Sequence, residues 1–390
     1  MQNRLFAPSN FCSVGTKRVS LREKTTTMND RKRTEIAELG EFGLIDELTR
    51  NAAADNKSTL KGVGDDAAVI AAGRDDAVVV STDALLEGVD FDLTYFPLKH
   101  LGYKAVTAGV SDILAMNAMP EQIMISLGVS SKMSVEALKD LYEGIEFACK
   151  ELGVDLAGGD TRASMTGLTI GITAIGRARR KALTYRSGAQ FNDLICITGN
   201  LGAAYMGLQL LEREKSVYYQ QVDEARKKND KHALEELKGF QPDFAGKEYL
   251  LQRQLQTEAR GDIIARFREL NIRPTAMMDI SDGLSSELMH ICKQSNCGCR
   301  IYEKNIPIDY QTAVMAEELN MNVTTCALNG GEDYELLFTV PIGDHEKIQQ
   351  MDNVKLIGHI TRPELGQMLV TRDNQEFELK AQGWNPLSDK

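Results

Sequence analysis

Val63-Gly64-Asp65-Asp66-Ala67-Ala68 opens a stretch that runs on to Ser81-Thr82-Asp83, and its reading decides the fold. Within it, Ala67–Ala71 and Ala77–Ser81 are short apolar runs rich in Val and Ile, the composition of strands. Each abuts carboxylates: Asp65 and Asp66 precede the first, and Asp83 follows the second. Aspartate among small residues beside an apolar run recurs down the chain. It does so at Ser111-Asp112, Gly158-Gly159-Asp160-Thr161, Asp279-Ile280-Ser281-Asp282-Gly283 and Gly330-Gly331-Glu332-Asp333.

Outward from that stretch, Lys99–Ala118 reads as a helix of small residues (Gly102, Ala105, Ala108, Gly109, Ala115) with Asp112 inside it. Gln122–Val129 is a strand. Ser134 caps an amphipathic helix whose apolar stripe includes Leu141, Tyr142 and Ile145, and Gly153 stops it. Val154–Ala157 and Leu168–Ile175 are strands separated by a turn at Gly158–Arg162. A second block holds the strands Asp193–Thr198, Ala276–Ile280 and Glu335–Val340 and the helices Ala203–Arg213 and Leu284–Gln294. Residues 214–260 are strongly charged and read as exposed helices with little apolar area to bury, a surface insertion. Alternating strands and helices in two blocks predict two α/β domains, residues 28–180 and 181–390.

Residues 1–27 carry five basic side chains and one acid, without the apolar core of a secretory signal. An organelle transit peptide and an upstream extension before Met28 are both open. Pro8, Gly15 and the Thr25–Thr27 run spoil an amphipathic helix and favour a disordered extension. Across the whole chain, 56 acidic residues against 45 basic give a net charge of −11, which opposes non-specific nucleic-acid binding. No apolar run approaches the roughly 18 residues of a membrane span. The seven scattered cysteines predict reduced thiols in a cytoplasmic protein; Cys292, Cys297 and Cys299 lack the partners of a zinc site.

The chain has no P-loop, no glycine-rich dinucleotide fingerprint, no His-Glu-x-x-His and no nucleophile elbow. The recurring aspartates suit Mg²⁺, which takes hard oxygen ligands, one or two carboxylates per ion plus substrate phosphates. Crowded carboxylates repel unless cations lie between them. Each motif alone also has a plainer reading: Gly64-Asp65-Asp66 as a turn, Ser81-Thr82-Asp83 or Asp279–Gly283 as a helix cap, Asp112 as a solvent-facing side chain, and Glu332 as loop charge.

Taken together and in this order, the motifs resemble the thiamine-monophosphate kinase family. That family belongs to the superfamily of aminoimidazole ribonucleotide synthetase, selenophosphate synthetase and hydrogenase maturation factors. The resemblance runs from about Glu41 to Trp384. It includes Gly40–Ile45, Val63–Ala68, Ser81–Asp83, Lys104–Met116, Gly158–Thr161, Arg186–Ala189, Asp279–Leu284 and Gly330–Leu336. It implies an N-terminal α/β domain whose sheet forms a barrel-like homodimer core, and a layered α/β C-terminal domain. The implied reaction is ATP-dependent phosphorylation of thiamine monophosphate to thiamine diphosphate by direct in-line transfer, assisted by several Mg²⁺ ions.

Carried over position by position, the resemblance implies Mg²⁺ ligands at Asp66, Ser81, Thr82, Asp83, Asp112, Asp160, Asp279 and Asp282. It implies ATP contacts at Tyr142, Gly159, Asp160, Arg186 and Ser281, and thiamine contacts at Asp90, Glu332 and Trp384. Asp90 departs from the family pattern, standing where many relatives place a His. Against a sister enzyme, no reactive Cys lies near Gly64 as in a selenophosphate synthetase. Against a decayed, non-enzymatic binding protein, every expected aspartate is present.

Overall fold

A computed structural model of the chain describes residues 36–52 and 54–382. The N-terminal extension and Trp384 lie outside them. After a helical segment broken at Gly40 (α1, Ile36–Thr49), a six-stranded sheet is built from β1 (Thr59–Lys61), β2 (Ala68–Ala72), β3 (Asp76–Leu86), β4 (Met119–Val129), β5 (Asp155–Ala163) and β6 (Thr169–Arg179). Its order is β1-β2-β3-β6-β4-β5, antiparallel throughout except for the parallel pair β4/β5. Along β6 buried and part-buried residues alternate, as expected for a sheet covered on one face. The cover consists of α2 (Leu98–Ala115) and α3 (Val135–Leu152).

Both ends of α3 form as the sequence predicts. Ser134 Oγ accepts the Ala137 N–H at 3.1 Å, and Gly153 closes the helix in the left-handed conformation. Where α2 crosses α3, a Cβ at Gly144 would run into the Lys99 carbonyl, and one at Gly102 into that of Leu141. Backbone carbonyls cannot move aside cheaply, so Gly144→Ala is expected to lower stability by about 2 kcal/mol despite its better helix propensity. Chemical denaturation reads this, and an unchanged midpoint would refute the close crossing.

The second sheet contains β7 (Leu194–Thr198), β8 (Ala276–Asp279), β9 (Gly298–Tyr302), β10 (Leu336–Val340), β11 (Val354–Thr361), β12 (Gln367–Val370) and β13 (Glu376–Glu378). Its order is β13-β12-β9-β11-β7-β10-β8. Strands β7, β8 and β10 are buried on both faces. The helices α4 (Ala203–Lys227), α5 (Lys231–Glu236), α6 (Glu248–Leu255), α7 (Gly261–Glu269) and α8 (Leu284–Ser295) accompany it. Ile195, Ile197, Met278 and Leu337 pack with Leu284, Leu288 and Ile291 of α8. Leu194, Cys196, Met277 and Phe338 pack with Ile263, Ile264 and Phe267 of α7 and with Leu114 and Ala115 at the end of α2. Helix α2 therefore touches both sheets, and Asp112 lies where it passes from one to the other.

Three local expectations change. Gly158–Arg162 is not a turn but the middle of β5, where Ile125 pairs with Gly159 and a Cβ on Gly159 would meet the Ile125 carbonyl. That glycine serves close approach of backbones. Ser81-Thr82-Asp83 lies within β3 and caps no helix. Residues 214–260 are more than a surface insertion: α4 continues to Lys227, and Leu250, Arg253, Gln254, Thr257 and Arg260 are buried. Four of these five are polar, so ion pairing and hydrogen bonds take the place of the apolar area the segment lacks. Cys292, Cys297 and Cys299 are all buried within the second core.

Candidate active site

Asp66 lies just ahead of β2, Asp112 on α2 and Asp279 at the end of β8, and one carboxylate oxygen of each lies within 4.8 Å of the others. Asp66 and Asp279 are buried and Asp112 is half-buried. Arg186 Nε and Nη2 both donate to Asp66 Oδ1, at 3.0 and 2.7 Å. Asp66 Oδ2 is left buried without a hydrogen-bond partner. Ser111 Oγ donates to Asp279 Oδ2 at 2.5 Å.

Three carboxylates share one guanidinium, and burial together with their mutual repulsion resists ionising all three. Burial pushes the Asp66 carboxyl up to about 7, with Arg186 pulling it down and Asp279 pushing it up. Burial raises Asp112 well above the usual carboxylate range, reinforced by Asp279, Asp66 and Asp83. Asp279 is raised by burial against the hydrogen bond from Ser111 and the charge of Arg186. Buried, mutually repelling hard oxygens with one lone pair site unmet are the donor set a divalent cation neutralises, so the residues fit Mg²⁺.

Other predicted residues stand around or apart from this trio. Asp83 bears on Asp112 and Asp279 by charge, while its own Oδ1 accepts the Ala84 N–H at 2.7 Å. The Ser81 hydroxyl donates to the Gly109 carbonyl at 3.2 Å, and Thr82 Oγ1 faces Thr173 Oγ1 at 3.4 Å. Gly159 and Asp160 lie on the exposed strand β5, where Asp160 pairs with Arg162 at 2.9 Å outside the trio. Tyr142 packs part-buried on the first core. Ser281 accepts the Glu332 N–H with its carbonyl at 2.7 Å. Asp282 is not a helix cap. Gly283 takes that position at φ 118°, and the Asp282 N–H donates to Glu287 Oε1 at 2.7 Å.

A second group of carboxylates adjoins the first. Asp90 Oδ2 accepts the Leu86 N–H at 2.7 Å, and burial, then Glu332 and Asp83, raise its carboxyl while Lys104 pulls it down. Glu332 accepts from Lys104 Nζ at 2.8 Å and from Gln254 Nε2 at 2.9 Å. Tyr334 is buried, and the charges of Glu332, Asp83, Asp279 and Asp90 add to burial in raising its phenol. Lys104, Ser111 and Tyr334 lie inside the sequence motifs with no role expected of them, and Gln254 lies outside every motif. A charged residue on the buried stripe of a small-residue helix was the available signal for Lys104.

Residues 64–178 match the family described as AIR synthase related protein, N-terminal domain. The thiamine-monophosphate kinase of Bacillus subtilis (strain 168) is 30% identical over 355 residues, covering 89% of this chain and 99% of the relative. That of Buchnera aphidicola subsp. Schizaphis graminum (strain Sg) is 32% identical over 354 residues, covering 89% and 99%. Among solved structures, AaThiL complexed with AMPPCP and TMP superposes with a TM-score of 0.74 at 28% identity, covering 91% of this chain and 99% of that one. Such identity over nearly the full length of both kinases, on a matching two-sheet fold, is family membership: the chain belongs to the thiamine-monophosphate kinase family.

Proposed function

We propose that the chain transfers the γ-phosphoryl group of ATP to thiamine monophosphate, giving thiamine diphosphate and ADP, the last step of thiamine diphosphate biosynthesis. A phosphate oxygen of thiamine monophosphate attacks the γ-phosphorus in line, and the bond to the β-phosphate oxygen breaks as ADP leaves. That nucleophile is already ionised near neutral pH, so no side chain needs to act as a base. The observation that carries the reading is the trio Asp66, Asp112 and Asp279 with its orphaned Asp66 oxygen. AMPPCP, an ATP analogue, together with TMP in the AaThiL structure supports the substrate pair.

The trio, with Asp83 beside it, would hold Mg²⁺. The family pattern adds Ser81, Thr82, Asp160 and Asp282. Bound there, the ion offsets the charge of two anionic substrates and orients their phosphates. Arg186 fixes Asp66, and Ser111 fixes Asp279, so the donors are set before substrates arrive. In this reading Tyr142, Gly159, Asp160, Arg186 and Ser281 meet the nucleotide, and Asp90 and Glu332 meet the thiamine.

The nine residues of β5 are all exposed, and the strand stands at the edge of its sheet. An open edge carrying Gly159 and Asp160 supports a homodimer in which a second copy covers it. No helix among the described residues is long and apolar enough to cross a membrane.

The test is purified protein with ATP, Mg²⁺ and thiamine monophosphate. Thiamine diphosphate and ADP should form in equal amounts, and EDTA should stop the reaction. Absence of thiamine diphosphate overturns the proposal.

A further inference from the structure

The Lys104 side chain is 1% exposed, and so is Gln254. Burying an ammonium is costly unless its donors are met. Lys104 Nζ donates to Glu332 Oε1 at 2.8 Å and to the Gln254 carbonyl at 3.2 Å, and it lies 5.5 Å from the centre of the Phe96 ring. Gln254 Nε2 donates to Glu332 Oε2 at 2.9 Å. Both oxygens of one carboxylate are thus taken, from two directions and by two regions of chain far from Glu332 in sequence. Glu332 itself holds a left-handed backbone (φ 57°) that is costly for a residue with a Cβ, and its N–H is anchored to the Ser281 carbonyl.

Neutralising a loop carboxylate would need only one surface lysine. Here a buried amide from α6 and a buried ammonium from α2 together fix the carboxylate plane, while the Glu332 side chain keeps a quarter of its surface open (25%). The charge of Glu332 is felt at Asp90, so a second carboxylate lies within electrostatic reach of the first. A cationic thiazolium and an amino group suit such a pair, and a nucleoside triphosphate does not.

We propose that Lys104 and Gln254 are positioning residues that orient Glu332 and thereby set affinity for thiamine monophosphate independently of ATP. This rests on the functional reading above. It also gives the charged segment 214–260 a part in substrate selection, through Gln254.

Steady-state kinetics on the full chain test it. Gln254→Met, close to isosteric, should raise KM for thiamine monophosphate about ten-fold, the loss expected for a hydrogen bond to a charged group. KM for ATP and the melting temperature should hold. Lys104→Met should act in the same direction, and Lys104→Arg should restore most of the affinity. The deciding arm is a double-mutant cycle with Glu332→Gln: Gln254→Met should add little once the carboxylate is gone. Additive effects, a KM for ATP that rises in parallel, or a wild-type KM in Gln254→Met overturn the positioning role. If Lys104→Met does not fold, Gln254→Met and the cycle decide alone. An inactive wild type overturns the functional reading and this proposal together; an active wild type with an indifferent Gln254→Met overturns this proposal only.

Discussion

Asparagine in place of Asp112 is expected to lower turnover by at least about a thousand-fold and, in EDTA, to raise the melting temperature. The two effects share one cause. Asp112, Asp66 and Asp279 crowd three carboxylates around a single guanidinium, and the burial of Asp66 and Asp279 with the partial burial of Asp112 limits the water that would screen them. Asparagine takes away an acid whose ionisation burial and its neighbours oppose, and so relieves the other two. In the presence of Mg²⁺ the same substitution removes a ligand, and metal-assisted charge neutralisation is worth several kcal/mol in a phosphoryl transfer, with about 1.4 kcal/mol per factor of ten.

The pH dependence has a definite sign. Asp66 in the folded chain holds its proton up to about 7, against 3.8 for the ordinary group. The folded state therefore binds more protons than the unfolded one across that window, and metal-free stability falls as pH rises through it. Asp112→Asn should flatten the slope, and Mg²⁺ should oppose it in the wild type. Thermal melts at pH 5 and pH 8, with EDTA and with Mg²⁺, separate these arms. A variant that melts lower than the wild type in EDTA would falsify the repulsion argument, and one that keeps its turnover would remove Asp112 from the metal ligands.

What the sequence discloses depends on whether a residue's role is local. Ser134 and Gly153 act on backbone within a turn of themselves, and both were readable. The aspartates were readable because small residues beside apolar runs mark places where backbone meets a ligand. Gly158–Arg162 was misread because two glycines and an aspartate have the composition of a turn, whereas their strand state comes from pairing with β4, about thirty residues away. The charged segment was misread for a related reason. Leu250, Arg253, Gln254 and Thr257 recur at the spacing of one helical face, and all four are buried. Three are polar, so a search for apolar periodicity passes over them. Their partners, Glu332, Asp333 and Glu335, lie some eighty residues on.

Those partners make Arg253→Met the substitution with the largest expected cost in stability. Arg253 Nη2 donates to Glu335 Oε1 at 2.9 Å and to the Asp333 carbonyl at 3.0 Å. Arg260 Nη1 reaches Glu335 Oε2 at 3.3 Å, and Thr198 Oγ1 donates to the same oxygen while accepting the Leu336 N–H at 2.8 Å. The network ties α6 to β7 and to the entrance of β10. Glu335 is 1% exposed, so water cannot replace a lost partner. Breaking such a pair from one side costs about 3–5 kcal/mol. Arg260 remains beside Glu335, which places the loss near about 3 kcal/mol, a fall of roughly 6–12 °C in melting temperature for a unit of this size. Asp333 suffers too. Burial already pushes its carboxyl up to about 7, and Arg253 is the largest influence holding it down. Its Oδ2 accepts the Gly202 N–H at 2.9 Å, at the start of α4. Lys238→Ala in the same charged segment is the control, because its pair with Glu235 is exposed on both sides and such pairs contribute little. If the segment were only a solvated insertion, the two variants would melt together. A burial held by ion pairing predicts that they separate by several degrees, with Arg253→Met also weakening thiamine monophosphate binding through the neighbouring Glu332.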